Sequence, residues 1–153
     1  FRFQRLYDAA RACVTTEADM RRIVREAAID DAEAAARWLL ARHPGLPLTL
    51  MGFSFGSCVA GNLAGRLEAQ GVGLARLFMI APPVERFAVS LPARCPLTVV
   101  QPEDDDVVTP AAVYAWSESL ARPHELLRVA ESGHFFHGKL IDLKDLLLPR
   151  LQD

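Results

Sequence analysis

The chain has 153 residues, of which 51% are hydrophobic, and a formal net charge of −2 at pH 7. This length and apolar content allow one hydrophobic core, so we expect a single domain over residues 1–153. Positive and negative side chains are interspersed, which argues against a nucleic-acid-binding protein and against attraction to an anionic membrane. We therefore expect neither nucleic acid nor a membrane among the partners.

The three cysteines, Cys13, Cys58 and Cys95, are odd in number and lack metal-type spacing. Reduced thiols are typical of cytoplasmic proteins, so the sequence favours that location. No apolar run reaches the length of a transmembrane helix. The chain begins at Phe1 and not at methionine, which leaves room for a segment upstream of it.

Hydrophobic periodicity predicts the first elements in chain order. Phe1–Phe3 alternates like the end of a strand, and Gln4–Val14 has the pattern of a short helix. A capping box from Thr16 to Asp19 then begins a helical stripe, which is one long helix or two helices separated at Asp30-Asp31. His43-Pro44-Gly45 ends this region, because proline and glycine are helix stop signals.

After Gly45, predicted strands alternate with predicted helices. The pattern gives a strand from Leu48, a helix over Ser57–Gln70, strands at Ala75–Ala81 and Pro96–Gln101, a helix over Thr109–Leu120, a strand at Glu125–Ala130 and a final helix opening at His134. Apolar strands that alternate with helices predict an α/β fold, with a mostly parallel sheet flanked by helices.

The Gly-x-Ser-x-Gly motif at Gly52-Phe53-Ser54-Phe55-Gly56 lies between a predicted strand and a predicted helix. This is the arrangement of a nucleophile elbow, in which a strained serine stands at the apex of a tight turn. We expect a side chain at Gly52 or at Gly56 to collide with the neighbouring strand or helix. The turn places Ser54 at a helix N-terminus, where free backbone N–H groups favour developing negative charge.

Two further strand ends carry the residue types that acyl transfer needs. An acidic run, Glu103 to Asp106, follows one strand, and His134 follows the next. Along the chain, the serine, the acid and the histidine follow one another in the order that is typical of α/β-hydrolase triads. Within the run, Asp104, Asp105 and Asp106 are alternative acids. His137 is a competing base, whereas His124 lies at the wrong end of its strand.

Other functions of these residues have weaker support in the sequence than acyl transfer. The acidic run lacks the alternating oxygen-ligand spacing of a calcium loop, so we expect no metal. No phosphate-cradling glycine pattern supports a flavodoxin-like nucleotide binder, and we expect no cofactor. Phe135 and Phe136 have the character of core residues, one of which could line a pocket.

From about Ala32 to Leu151 the sequence resembles the α/β-hydrolase superfamily, in particular small bacterial serine hydrolases related to dienelactone hydrolases and short-chain esterases. The resemblance is carried by the elbow motif, by Asp105-Asp106-Val107-Val108, and by the segment from Gly133 to Leu140. It implies that Ser54 is the nucleophile, His134 the base and Asp105 the acid. It also implies that the backbone N–H of Phe55 is an oxyanion donor.

The resemblance further implies strands before the elbow, including the strand whose loop supplies a second oxyanion donor, and we expect these strands to be missing here. The sheet is then expected to have an exposed edge, which a homodimer could close. The expected function is hydrolysis of a small ester, thioester or lactone through an acyl-enzyme, at an open, shallow site for a small-molecule substrate. The alternative is a non-catalytic, truncated relative that acts as a binding or interaction domain.

Overall fold

A computed structural model of the chain describes residues 16–152. The strand end predicted at Phe1–Phe3 and the short helix predicted at Gln4–Val14 lie outside the described residues. The chain divides into two compact units, Phe1–Leu46 and Pro47–Asp153.

The described part of the first unit is one α-helix, α1, over Glu17–Arg42. Its N-terminus has one of the two bonds of the predicted capping box, from the Asp19 backbone N–H to Thr16 Oγ1 at 3.2 Å. The Asp19 carboxylate accepts from the Thr16 hydroxyl at 2.6 Å. The helix continues through Asp30-Asp31, so the alternative of two helices is wrong. It ends at His43, ahead of a left-handed Gly45 with φ +82°.

The second unit follows the predicted order of strands and helices. Its elements are β1 (Leu48–Phe53), α2 (Phe55–Ala69), β2 (Leu74–Ile80), β3 (Leu97–Pro102), α3 (Pro110–Ser119), β4 (Glu125–Val129) and α4 (Leu140–Gln152). None of the described helices is long and apolar enough to cross a membrane.

The strands form a four-stranded parallel sheet in the order β1-β2-β3-β4. Register pairs Phe53 with Ile80, Ile80 with Val100, and Pro102 with Val129, so the carboxyl ends of all strands reach one edge of the sheet. Among the described residues, β1 has a strand on one side only. Strand β1, which leads into Ser54, is therefore one edge of the described sheet, and β4 is the other.

The hydrophobic core lies on both faces of this sheet, because successive strand residues point to opposite sides. One cluster includes Leu77, Met79, Leu97 and Val99 with residues of α2 and α3. The other includes Phe78, Ile80 and Val100 with Leu147 of α4. Central strands β2 and β3 are covered on both faces, as expected for a parallel sheet between helices.

The prediction that His134 opens the final helix is wrong, since α4 begins at Leu140. Phe136 and Gly138 have φ values of +54° and +73°, and a right-handed helix cannot pass through left-handed residues. The segment instead forms successive turns, closed by the Phe136 N–H to the Gly133 carbonyl and the Lys139 N–H to the Phe136 carbonyl. His134 therefore lies in a loop at the carboxyl end of β4.

The β2–β3 loop, residues 81–96, is anchored to α2. The Asn62 side chain accepts from the Ser90 N–H at 3.0 Å, and the Glu68 carboxylate accepts from the backbone N–H groups of residues 93–95. A Cβ at Gly65 would lie 2.3 Å from the Ser90 carbonyl oxygen, so the loop contacts the helix backbone directly. This loop is held in place along much of its length.

Strand β1 and helix α2 approach each other closely where they join. A Cβ at Gly52 would lie 2.1 Å from the Gly56 carbonyl oxygen and 2.6 Å from Ser57 Cα, so the predicted collision at Gly52 is confirmed. The collision predicted at Gly56 is wrong, because a Cβ there has no heavy atom within 4 Å apart from its chain neighbours and the backbone of its own helix. Gly56 contributes its backbone carbonyl to the contact, and that group is present in any residue.

We expect Gly52→Ala to lower the free energy of unfolding by about 2 kcal/mol or more, because the new methyl group forces β1 and α2 apart. Gly56→Ala is the matched control. It places alanine in an open helical position and should change stability by less than about 1 kcal/mol, in the stabilising direction. Urea unfolding of the two variants measures the difference, and equal losses would contradict the described contact.

Candidate active site

The structure brings Ser54, Asp105 and His134 together at the carboxyl edge of the sheet. Ser54 follows β1, Asp105 lies in the loop after β3, and His134 lies in the loop after β4. The loops meet because the strands are parallel and their ends are in register.

Ser54 has the backbone conformation of a strained turn, with φ +51° and ψ −126°. Such a conformation costs on the order of 1–3 kcal/mol in a residue other than glycine. The Ser54 N–H donates to the Ile80 carbonyl at 2.8 Å, and the Ser57 hydroxyl and N–H both donate to the Ser54 carbonyl. Its own side chain makes no capping bond to the helix, so the hydroxyl is available to other groups.

Two hydrogen bonds join the three side chains. Ser54 Oγ lies 3.0 Å from His134 Nε2, and His134 Nδ1 lies 2.9 Å from Asp105 Oδ2 and 3.1 Å from Oδ1. An ionised carboxylate only accepts, which assigns the ring proton to Nδ1 and leaves Nε2 to accept from the serine hydroxyl. The His134 and Asp105 side chains are 2% and 0% exposed, so water screens their interaction weakly.

Asp105 is the member of the acidic run that reaches His134, whereas Asp104 and Asp106 are exposed to solvent. The backbone N–H groups of Val107 and Val108 donate to Asp105 Oδ1 at 2.9 and 2.7 Å. These two bonds form a tight turn around the carboxylate and direct it inward.

The competing histidines lie elsewhere. His137 is exposed, with its ring 6.0 Å from that of Phe135. His124 Nε2 lies 2.6 Å from the Ser117 hydroxyl, at the amino end of β4 and opposite to Ser54. Of the histidines in the described residues, only His134 contacts Ser54.

Phe55 is the first residue of α2, directly after Ser54. The first N–H groups of a helix have no intrahelical acceptor and are suited to bind negative charge. The role of the Phe55 N–H as a donor to an oxyanion formed at Ser54 stays a prediction.

Aromatic rings surround the serine and histidine. The rings of Phe53 and Phe135 lie 4.9 and 5.0 Å from the His134 ring, and Phe55 packs edge-on against Phe87 of the β2–β3 loop at 5.2 Å. Phe135 is 59% exposed, whereas Phe136 is buried in the core. The expectation of a core residue is confirmed for Phe136, whereas for Phe135 it is wrong.

Sequence reasoning missed Gln101, whose side chain donates to Asp105 Oδ2 at 3.2 Å. The available signal was an amide within an otherwise mostly apolar buried strand. It also missed the contact of the Phe53 ring with His134, and it missed Phe87, which the sequence alone does not place near the site. The described residues contain no group of three or more His, Cys, Asp or Glu side chains that could hold a metal ion.

The fold of this chain is similar to that of solved serine hydrolase and thioesterase structures. An α/β serine hydrolase without a lid from Xanthomonas campestris is 39% identical, with a TM-score of 0.72, over 81% of this chain and 55% of that protein. The type II thioesterase BorB from the borrelidin biosynthetic cluster is 25% identical, with a TM-score of 0.59, over 78% of this chain and 67% of that protein.

A curated protein from Streptomyces coelicolor, described as an adenosine/adenine deaminase, is 59% identical over 39 residues. That match covers 26% of this chain and 11% of the deaminase. The chain therefore spans about a tenth of this curated relative, and about half of the Xanthomonas hydrolase.

The family model of the thioesterase domain matches residues 9–101, a range that includes β1, the Ser54 turn, α2 and β2. This match covers more than half of the chain, and the solved hydrolases share its parallel sheet and flanking helices. The chain belongs to the thioesterase-domain family of the α/β-hydrolase superfamily.

Proposed function

We propose that the chain is a serine hydrolase that cleaves a small ester or thioester, or a lactone, through an acyl-enzyme. The observation that carries the proposal is the pair of hydrogen bonds from Ser54 through His134 to Asp105. A serine hydroxyl is a weak nucleophile, and it needs a base within hydrogen-bond reach and a carboxylate that orients the base.

In the proposed reaction, Ser54 Oγ attacks the substrate carbonyl carbon while His134 Nε2 takes the hydroxyl proton. Asp105 stabilises the imidazolium that forms, and it holds the Nδ1 proton in place. The Phe55 N–H and the N-terminus of α2 stabilise the oxyanion. Collapse of the tetrahedral intermediate breaks the bond to the alcohol or thiol, which leaves with the proton from His134. Water, deprotonated by His134, then hydrolyses the acyl-enzyme.

The surroundings of Ser54 favour a small substrate at an open site. The β2–β3 loop lies along α2 through bonds to Asn62 and Glu68, a placement that supports a fixed wall and not a mobile cover. The Xanthomonas hydrolase, whose sequence is 39% identical, is itself described as having no lid. The thioesterase-domain family and the similarity to a type II thioesterase favour thioesters as the first substrates to assay.

A non-catalytic binding domain is the second candidate, because the chain spans only 55% of the Xanthomonas hydrolase. The intact hydrogen-bonded chain from Ser54 to Asp105 favours the enzyme, since a binding domain has no need of that geometry. The match to a deaminase carries no functional argument, because it covers 11% of that protein.

We expect Ser54→Ala to remove nearly all hydrolysis, by on the order of 10⁶-fold in kcat for a fully competent enzyme. The assay is release of thiol from short acyl thioesters and of nitrophenol from short acyl esters. Ser119→Ala, which removes an exposed hydroxyl on α3, is the control and should retain the parent rate. Retention of the parent rate by a well-folded Ser54→Ala variant would exclude the proposed nucleophile.

We expect Asp105→Asn to lower kcat by about 10⁴-fold, because an amide no longer fixes the His134 tautomer or stabilises the imidazolium. Asp106→Asn makes the same chemical change at an exposed neighbouring position and should alter kcat by less than about threefold, since surface changes of this kind are small. Both variants are measured on one thioester substrate. Equal loss in the two variants would argue that the acid is not Asp105.

We expect the exposed Phe135 ring to contact the acyl group. Phe135→Ala should then lower kcat/KM for a hexanoyl thioester about tenfold, while the acetyl thioester changes much less, because only the longer chain reaches the ring. Leu148→Ala, at an exposed apolar position on α4, is the control. An equal effect on both substrates would place Phe135 outside the acyl site.

A further inference from the structure

Gln101 is a buried amide at the carboxyl end of β3, and its side chain is part of no catalytic step proposed above. The residue is 0% exposed, between the apolar Val100 and Pro102. Burial of an amide is unfavourable unless its polar atoms are hydrogen-bonded. The hydrogen bonds of the Gln101 side chain should therefore explain why a glutamine is buried at this position.

The amide nitrogen of Gln101 donates to two acceptors, the Pro102 carbonyl at 3.1 Å and Asp105 Oδ2 at 3.2 Å. These acceptors fix the orientation of the amide, because the flipped form would place Oε1 against a carbonyl and a carboxylate oxygen. Oε1 itself has no hydrogen-bond partner among the described residues. The side chain thus leaves one buried acceptor unsatisfied while it contacts the Asp105 carboxylate.

The two oxygens of Asp105 are held by different groups. Oδ1 accepts from the backbone N–H groups of Val107 and Val108, and these bonds are present for any residues at those positions. Oδ2, the oxygen nearer to His134 Nδ1, accepts from Gln101. Within the described part of the chain, Gln101 and His134 are the only side chains that bond to Asp105. Rotation of the carboxylate is therefore opposed at Oδ2 by Gln101.

We propose that Gln101 is a positioning residue, which holds Asp105 Oδ2 toward His134. The inference rests on the proposed function for its effect on rate, although its effect on the His134 ring does not require turnover. Without the bond from Gln101 the carboxylate can rotate away from His134, and the imidazolium then loses part of its stabilisation. The protonation midpoint of His134 falls as a result.

The test replaces Gln101 with residues that cannot donate a hydrogen bond. Gln101→Met keeps the length of the side chain, and Gln101→Leu is a second variant in case the first does not fold. Thr98→Val is the control, because it removes another buried polar group from the same strand, one that bonds to Glu125 and not to the site. Urea unfolding establishes that each variant folds cooperatively.

The first readout is the protonation midpoint of the His134 ring, from ¹H–¹⁵N NMR spectra of the protein across pH, assigned by comparison with His134→Gln. The second is the pH profile of kcat/KM on a short acyl thioester. The remaining ionisable side chains on the two loops around His134 do not differ between parent and variants: Glu103, Asp104, Asp106, Glu131, His137 and Lys139.

We expect the His134 midpoint to fall by about 0.5 pH or more in both variants. The acid limb of kcat/KM should move with it, and kcat/KM on its plateau should fall about tenfold. Thr98→Val should leave the midpoint and the rate unchanged.

An unchanged His134 midpoint in Gln101→Met or Gln101→Leu would overturn the inference, whatever the rates are. An equal shift in Thr98→Val would overturn it too, because it would report a general weakening of β3. Failure of both Gln101 variants to fold would assign Gln101 a structural role instead. If the parent shows no turnover but the midpoint shifts, the proposed function fails while the positioning role of Gln101 stands.

Discussion

The strained backbone at Ser54 is the constraint on which the rest of the site depends. The serine is held with φ +51° by bonds from its own N–H to Ile80 and from Ser57 to its carbonyl. The turn is possible because β1 and α2 meet at Gly52 without a Cβ between them. A backbone that is strained in this way lifts the hydroxyl away from the helix and toward the loops that follow β3 and β4.

The parallel sheet supplies the other two groups without further distortion. Since β1 to β4 are in register at their carboxyl ends, the loops that carry Asp105 and His134 converge on the serine from neighbouring strands. Each of these side chains is then fixed locally, Asp105 by two backbone N–H groups and by Gln101, and His134 by the carboxylate. The site is thus assembled from strand ends, and its precision comes from short-range hydrogen bonds.

Much of this arrangement follows from the sequence, because apolar periodicity and the elbow motif are local signals. The order of elements, the position of Ser54 and the strand ends that carry the acid and the histidine are all predicted correctly. The residue pattern alone leaves Asp104, Asp105 and Asp106 open, and only the family resemblance implies Asp105. All three are aspartates, and the choice depends on which carboxylate the N–H groups of Val107 and Val108 enclose.

The wrong predictions have a shared cause in backbone geometry. The final helix begins at Leu140 and not at His134, because Phe136 adopts a left-handed conformation that its residue type does not indicate. A side chain at Gly52 collides with the Gly56 carbonyl, whereas a side chain at Gly56 meets no such contact, because the strand approaches the helix through that carbonyl. The contact of Gln101 with Asp105 likewise cannot be predicted from the sequence, although a glutamine inside a buried strand is unusual and indicates a specific polar contact.

Covalent labelling shows whether His134 and Asp105 activate Ser54 in this chain. The purified chain is treated with a serine-directed fluorophosphonate, and the adduct is located by peptide mass spectrometry, beside His134→Gln as a folded comparison. We expect a single adduct on Ser54 that forms quickly in the parent and very slowly in the His134 variant. A folded parent that does not react, or reacts at another serine, would mean that Ser54 is not activated and would favour a non-catalytic binding domain.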